Sequence, residues 1–235
     1  MKYPAVYVYK HTKNNGAELR HSLRSLKNLL NHNGEVIVVG DKEKWFSDKI
    51  TYIKSGYKDH SECCLNRQIK CYYGEFYNWN TATKSKLVPD WFILMNDDFF
   101  ITRPKKIENM TNRNPLTDKG VGMHRKCWNK TARWLIANDY THENFEIHTP
   151  MIVNKKNLRK VHDLLINEKQ PPVLLHRSLY GNMFTNAGIL RRWIDQKTYN
   201  NNPLSKGVFI SVDHWNDELA VLFNEGSIYE NDTGL

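Results

Sequence analysis

Short apolar runs alternate with amphipathic stretches through the N-terminal half of the chain. Residues Ala5–Tyr9 are apolar and β-prone. After Gly16, leucines recur at Leu19, Leu23, Leu26 and Leu30, the spacing of one face of an α-helix. Asn33-Gly34 ends that pattern, and Glu35-Val36-Ile37-Val38-Val39 follows as a continuous β-branched run of the kind a buried parallel strand needs. Gly40-Asp41 closes it, and Thr51-Tyr52-Ile53 predicts a short third strand. From Ser61 to about Trp79, Leu65, Ile69, Tyr72, Tyr73 and Phe76 lie at helical spacing, with Ser61 as N-cap and Glu62 in the first turn. Trp91-Phe92-Ile93-Leu94-Met95 predicts another buried strand, which runs into Asn96-Asp97-Asp98-Phe99-Phe100.

The C-terminal half is less regular. Arg103 to Lys119 reads as a solvent-facing excursion, Val121-Gly122-Met123 as a strand and Phe145 to Asn154 as an extended segment. Helices are predicted over Lys156–Asn167, from Val173 to about Thr185, and from Asp217 to Phe223, with a late strand at Gly207–Val212. Alternating strands and helices predict an α/β fold, a mostly parallel mixed sheet flanked by helices in one composite domain. In this division residues 1–101 form a βαβ half ending at the Asp-Asp pair, and 102–235 a second half. Ligands of such sheets bind beyond the carboxyl ends of the strands, where Asp41 and Asn96-Asp97-Asp98 are placed.

Composition narrows the class. The 235 residues are 40% hydrophobic and 25% charged, ordinary globular usage, so wholesale disorder is excluded. No run approaches the roughly 18 apolar residues of a spanning helix. The start of the chain is too short and too polar at its far end for a signal peptide, and the expected location is cytoplasmic. Cys63, Cys64, Cys71 and Cys127 include no C-x-x-C pair and read as reduced thiols. Thirty-four Lys and Arg against 25 Asp and Glu give a net charge of +9, which favours an anionic partner such as DNA, a phosphorylated glycan or a nucleotide.

Chemistry concentrates at Asp97-Asp98. Adjacent carboxylates at the end of an apolar strand repel, and burying them without a counter-charge is costly. A divalent cation, Mn²⁺ or Mg²⁺, resolves both problems, particularly where phosphate oxygens complete its coordination. The bland alternative is a solvated turn. Arg67 and Lys70 lie three apart on one helix turn and can both face a diphosphate, or form a solvated basic face. His148 is a candidate base or metal neighbour, beside Asp139, His142, Glu143 and Glu146. Arg177 can clamp a phosphate or pair with a surface carboxylate.

A strand ending in Asp-Asp after a βαβαβ half resembles the DxD-type motif of nucleotide-sugar transferases with the GT-A fold. The string Asn96-Asp97-Asp98-Phe99-Phe100 also resembles a motif of the Stealth family of sugar-1-phosphate transferases. His148-Thr149-Pro150 and Phe209-Ile210-Ser211-Val212-Asp213-His214 resemble that family's His-x-Pro segment and late strand. The resemblance implies a nucleotide-sugar donor and a metal held by Asp98, with Asp97 on the metal or the donor ribose. It makes residues 1–101 the nucleotide-binding half and 102–235 the acceptor-side half, and places Tyr7, Tyr9, Lys10 and Asp41 around the nucleoside. It makes Asp217 a possible base and His214 or Asp213 a possible further ligand, although Asn216 or Asp217 also suits a helix cap.

The leading expectation is therefore a metal-dependent glycosyltransferase acting on an anionic acceptor, either a cell-surface glycan or a modified DNA base of the kind some phages make. Sugar-1-phosphate transfer is the alternative on the same fold. The residues around Arg125, Lys126, Trp128, Lys130, Arg133 and Trp134 read as a basic, aromatic surface able to hold a nucleic acid. From another class, a nucleic-acid-binding protein and a metal-dependent nuclease using Asp41 and Asp213 remain open.

Overall fold

The computed structural model describes residues 1–12, 14–55, 67–108, 110–112, 114–116, 122–165, 173–185, 190–199, 202–213 and 215–231, the side chains of 67–73 and 123 being set aside. Its centre is a five-stranded sheet in the order β3-β2-β1-β4-β7. Strands β1 (Tyr3–Tyr9), β2 (His32–Gly40), β3 (Ile50–Lys54) and β4 (Trp91–Asn96) run parallel, and β7 (Met151–Asn154) closes one edge antiparallel to β4.

Strand periodicity divides the core in two. Ala5, Tyr7 and Tyr9 of β1, Val36 and Val38 of β2, and Ile93 and Met95 of β4 pack with Leu19, Leu23 and Leu26 from and just after helix α1 (Ala17–Ser25). The alternate residues Val6, Val8, Ile37, Val39, Phe92 and Leu94 face the other way. They meet Trp79 of α2 (Arg67–Lys84), Leu158 and Val161 of α4 (Lys155–Leu165), and Leu179 of α5 (His176–Phe184). Each fully buried Leu, Val, Ile or Phe contributes about 1.5–3 kcal/mol. Burial on both faces is why these strands are unbroken apolar runs.

At the end of β2, Gly40 has φ +135°, and a Cβ there would stand 1.9 Å from the Tyr9 carbonyl oxygen. Only glycine lets β1 and β2 finish this close together. The Asp41 amide then donates to that same carbonyl at 3.1 Å.

After the Asp-Asp turn, β5 (Phe99–Ile101) leaves the main sheet and pairs antiparallel with β10 (Phe209–Val212). On its other side β10 carries β9 (Lys197–Thr198) in parallel register, with Ser211 opposite Lys197. A further pair joins β6 (Met110–Asn112) to β8 (Arg191–Trp193). Helix α6 (Glu218–Leu222) covers β10 through Leu219.

Two expectations are corrected. Residues 103–119 do not form a purely solvent-facing excursion, because Ile107, Met110, Thr111 and Leu116 are buried. Gly122 and Met123 do not belong to a strand but open helix α3 (Gly122–Ala137), whose inner side is Cys127, Thr131 and Leu135. Its Trp128 and Trp134 are half-buried and pack on the core, so the surface that remains is basic, through Arg125, Lys126 and Arg133, rather than aromatic. Ser61, Glu62, Cys63, Cys64 and Leu65 lie outside the described residues. Among the described residues no helix is long and apolar enough to cross a membrane.

Candidate active site

A cavity of about 590 Å³ opens beyond the carboxyl end of β4. Its wall combines Glu75 and Phe76 of α2, Asn96, Phe99, His124 and Trp128 of α3, and the 146–148 loop. Lys197, Tyr199 and Asp213 close the side formed by the small sheet, and His176 and Arg177 enter from the first turn of α5.

The loop carrying His148 is held by α5. Asn182 Oδ1 accepts from Thr141 Oγ1 at 2.7 Å and from the Glu143 amide at 2.8 Å, and its Nδ2 donates to the Glu143 carbonyl at 2.8 Å. The amide and hydroxyl of Ser178 both donate to Glu146 Oε1, at 2.9 and 2.8 Å. Arg177 Nε and Nη2 donate to the carbonyls of Phe145 and Thr149 at 3.3 and 2.6 Å. Gly181 allows this docking, since a Cβ would stand 2.3 Å from the Phe145 ring.

His148 is therefore fixed before any ligand is considered. Its backbone amide donates to Asp195 Oδ1 at 3.1 Å, and its ring Nδ1 donates to Asp195 Oδ2 at 2.7 Å. Phe99 meets the imidazole edge-on, with ring centroids 6.1 Å apart. Lys197 Nζ stands 3.3 Å from His148 Nε2 and 3.3 Å from Asp98 Oδ2, and Ser211 Oγ donates to the same Asp98 oxygen at 3.2 Å. The result is a chain Asp195–His148–Lys197–Asp98–Ser211. Because an ammonium only donates, His148 Nε2 accepts, and the ring is the Nδ1–H tautomer.

The electrostatics follow from crowding. Desolvation, with the charges of Asp98, Glu18 and Glu75, raises the Asp97 carboxyl well above its ordinary range. Burial also raises Glu75, against the pull of Arg177. Burial acts to discharge Lys197, but Asp98 and Asp195 outweigh it and hold the ammonium above its ordinary value. At Asp195 burial acts upward, and the bonds and charge from His148 outweigh it and hold the carboxyl low. A cation suits the Asp97-Asp98 pair, since it relieves the repulsion that Asp97 carries. Among the described residues no group of three or more His, Cys, Asp or Glu side chains is gathered for a metal.

The structure brings Asp98, His148 and Arg177 to one place, with Asp97 next to Asp98. Arg177 is buried, lies over the Phe99 ring at 5.4 Å, and leaves Nη1 without a partner among the described residues. Among the described residues it donates to main-chain carbonyls rather than pairing with a surface carboxylate. Tyr7 is a correction: it is fully buried with its hydroxyl 3.1 Å from Ser22 Oγ, so it is a core residue and does not line the cavity beyond β4. Tyr9 is nearly as buried, and its hydroxyl donates to Glu43, which His11 Nδ1 also approaches at 2.5 Å. Lys10 and Asp41 are exposed at the ends of β1 and β2, and Asp41 accepts from the His11 amide at 2.8 Å.

Asp217 is a second correction. It lies outside the cavity, exposed beside α6, where its Oδ1 accepts from Trp215 Nε1 at 2.9 Å. It makes no side-chain cap, and Asn216 Oδ1 instead accepts from the Glu218 amide at 2.9 Å. Arg67 and Lys70 lie in the first turn of α2 with side chains that are not described, and His214 is outside the described residues.

Sequence reading missed Asp195, Lys197, Glu75 and His176. The alternation Asp195-Gln196-Lys197, two charges that share one face of an extended chain, was the available signal.

The buried histidines make a separate prediction. His176 is lowered to about 4 by burial, and His162, fully buried with neither ring nitrogen partnered among the described residues, is lowered well below its ordinary value by burial and by His176. Both stay neutral in the folded protein while the unfolded chain protonates near pH 6.5. The unfolded state thus binds more protons as pH falls from about 6.5 toward 4, and folding stability is lost over that window. Urea midpoints measured from pH 7.5 to 5 should decline, with a slope approaching about 1.4 kcal/mol per pH unit for each such histidine. His162→Phe should flatten the decline.

A parallel sheet with an antiparallel edge, helices on both faces and an acidic turn at the end of its fourth strand define a GT-A-like α/β fold. The chain is similar to an active-site mutant of LgtC, at 12% identity over 90% of this chain and 87% of that one, with a TM-score of 0.51. Weaker likenesses are to the glycosyltransferase GlyE of Streptococcus pneumoniae (14% identity, 83% of this chain and 46% of that one, TM-score 0.40) and to 4-diphosphocytidyl-2C-methyl-D-erythritol synthase of Anaerococcus prevotii (10%, 82% and 87%, 0.38). No protein-family model matches the chain, and no curated sequence matches it.

Proposed function

We propose that the protein is a glycosyltransferase that moves a sugar from a nucleotide-sugar donor to a hydroxyl of an anionic acceptor. The observation that carries this reading is the chain that links Asp98 through Lys197 to the His148–Asp195 pair, with Lys197, His148 and Asp195 lining the cavity beyond the carboxyl end of β4. The GT-A-like fold supports it.

In this reading the acceptor oxygen attacks the anomeric carbon, the bond from that carbon to the diphosphate oxygen breaks, and a nucleoside diphosphate leaves. His148 Nε2 takes the acceptor proton, while Asp195 holds the ring in its tautomer and stabilises the imidazolium that forms. Lys197 and the free Nη1 of Arg177 supply positive charge where negative charge develops. A Mn²⁺ or Mg²⁺ ion held by Asp98 and Asp97, with His214 as a further candidate, would add Lewis-acid neutralisation of the leaving diphosphate. Lys10, Asp41, Arg67 and Lys70 are the candidate contacts to the rest of the nucleotide.

An anionic acceptor, a surface glycan or a DNA base, is supported by the net charge of +9 and by the outer face of α3, which carries Arg125, Lys126 and Arg133. No acidic residue interrupts that helix. His124 and Trp128 on the same helix reach the cavity.

The test is a thermal-shift panel of UDP, GDP, CDP, CMP and ADP, each with and without Mn²⁺. A ligand selective for the native state raises Tm by mass action, about 2.7 kcal/mol at a hundredfold excess over Kd. One diphosphate should stand out, and only with the metal. Its sugar conjugate should then release free diphosphate in the presence of acceptor, whereas release of a nucleoside monophosphate would mean sugar-phosphate transfer. A flat panel overturns the donor class and turns attention to nucleic acid.

A further inference from the structure

Lys197 occupies an unusual place. Its ammonium sits between the carboxylate expected to face the donor and the imidazole nitrogen expected to take the acceptor proton, 3.3 Å from each. Both contacts lie at the long end of the hydrogen-bond range, so neither is a tight ion pair. Its backbone is fixed by the β9–β10 pairing opposite Ser211, while the flexible four-carbon stem is free to re-aim the charge.

We propose that Lys197 is a donor-responsive mask, whose ammonium covers Asp98 and His148 Nε2 until an incoming diphosphate draws it away. This deepens the glycosyltransferase reading and rests on it for the identity of the anion. The reasoning is electrostatic and geometric. A base needs the Nε2 lone pair, and that lone pair is engaged by Lys197. Lys197 and Ser211 both engage Asp98 Oδ2, so a cation that approaches this carboxylate meets the charge of the ammonium. A diphosphate brings several charged acceptor oxygens against one carboxylate oxygen and one neutral imidazole, so it is the better partner for the ammonium. When the ammonium turns to the diphosphate, His148 Nε2 and Asp98 are released in the same movement. The acceptor hydroxyl then finds a competent base only when donor is bound. A purely structural salt bridge would not couple the base to the donor in this way.

The test compares wild type with Lys197→Met and Lys197→Arg by isothermal titration with MnCl₂ alone, and with UDP, GDP and CDP in saturating Mn²⁺. Removing the ammonium should tighten Mn²⁺ binding by about tenfold, because Asp98 loses its competitor, and weaken the cognate diphosphate by about tenfold. Lys197→Arg should keep diphosphate affinity within about threefold, since it keeps the charge. Opposite shifts of metal and diphosphate support the mask. Unchanged Mn²⁺ affinity, or both ligands weakening together, overturns it. If Lys197→Met does not fold by circular dichroism, Lys197→Gln takes its place with the same expected split. Should wild type bind no diphosphate under any condition, the glycosyltransferase reading fails, and tighter Mn²⁺ binding in the variant still establishes the masking of Asp98.

Discussion

Asp98→Asn should lower sugar transfer by about three orders of magnitude, the scale seen when a preorganised electrostatic group is removed from a reacting centre. The substitution keeps the volume and one oxygen able to accept from Ser211 Oγ, so circular dichroism should remain that of the wild type. What is lost is the charge. Among the described residues Lys197 then has no carboxylate within ion-pair distance, and a divalent cation loses one carboxylate of the pair. Asp97 cannot substitute, because burial and its acidic neighbours already work against its ionisation. For the same reason Asp97→Asn should relieve repulsion and leave the protein at least as stable, while Asp98→Asn breaks an ion pair whose two partners are each more than four-fifths buried. Turnover of the sugar conjugate identified by the nucleotide panel is the measurement. A folded Asp98→Asn protein with wild-type turnover would remove Asp98 from the reaction.

Much of the frame is legible in the sequence because of how it is buried. β1, β2 and β4 are covered on both faces, so they are unbroken apolar runs that need no partner information to be recognised. α4 shows itself through Leu158, Val161 and Leu165. α3 does not, because its inner positions Cys127 and Thr131 precede Leu135 and look like a thiol and a hydroxyl rather than a hydrophobic stripe. In the fold Thr131 bonds back to the Cys127 carbonyl at 2.8 Å and behaves as core.

The site divides in the same way. Asp97-Asp98 is visible because apolar residues bracket it. Asp195 and Lys197 are hidden, because a two-residue strand laid beside β10 carries them to His148 and Asp98, which lie 47 and 99 residues earlier in the chain. Tyr7 and Tyr9 mislead for a further reason. Their hydroxyls suggest a polar pocket, yet both find partners inside the core, in Ser22 and Glu43.

The second large effect is expected at His148. His148→Ala should reduce kcat by about 10²–10⁴-fold, the range of a positioned general base, with the affinity for the nucleoside diphosphate unchanged. The separation follows from position. The imidazole touches Asp195, Lys197 and the Phe99 ring, and Lys197 keeps its ammonium and its place on β9 when the imidazole is removed. Asp195→Asn should fall between wild type and His148→Ala. An amide at 195 can donate to Nδ1, which moves the ring proton to Nε2 and removes the acceptor the reaction needs, while the ring itself stays in place. A cavity of about 590 Å³ also leaves room for added imidazole to recover part of the His148→Ala activity. That recovery should not extend to Asp98→Asn, where the defect is charge rather than a missing base. Equal losses of kcat and of diphosphate affinity in His148→Ala, with no recovery by imidazole, would make His148 a structural residue of the loop and leave the proton to another group, of which Glu75 is the nearest in chemistry, a half-buried carboxyl raised above its ordinary range on the same cavity wall.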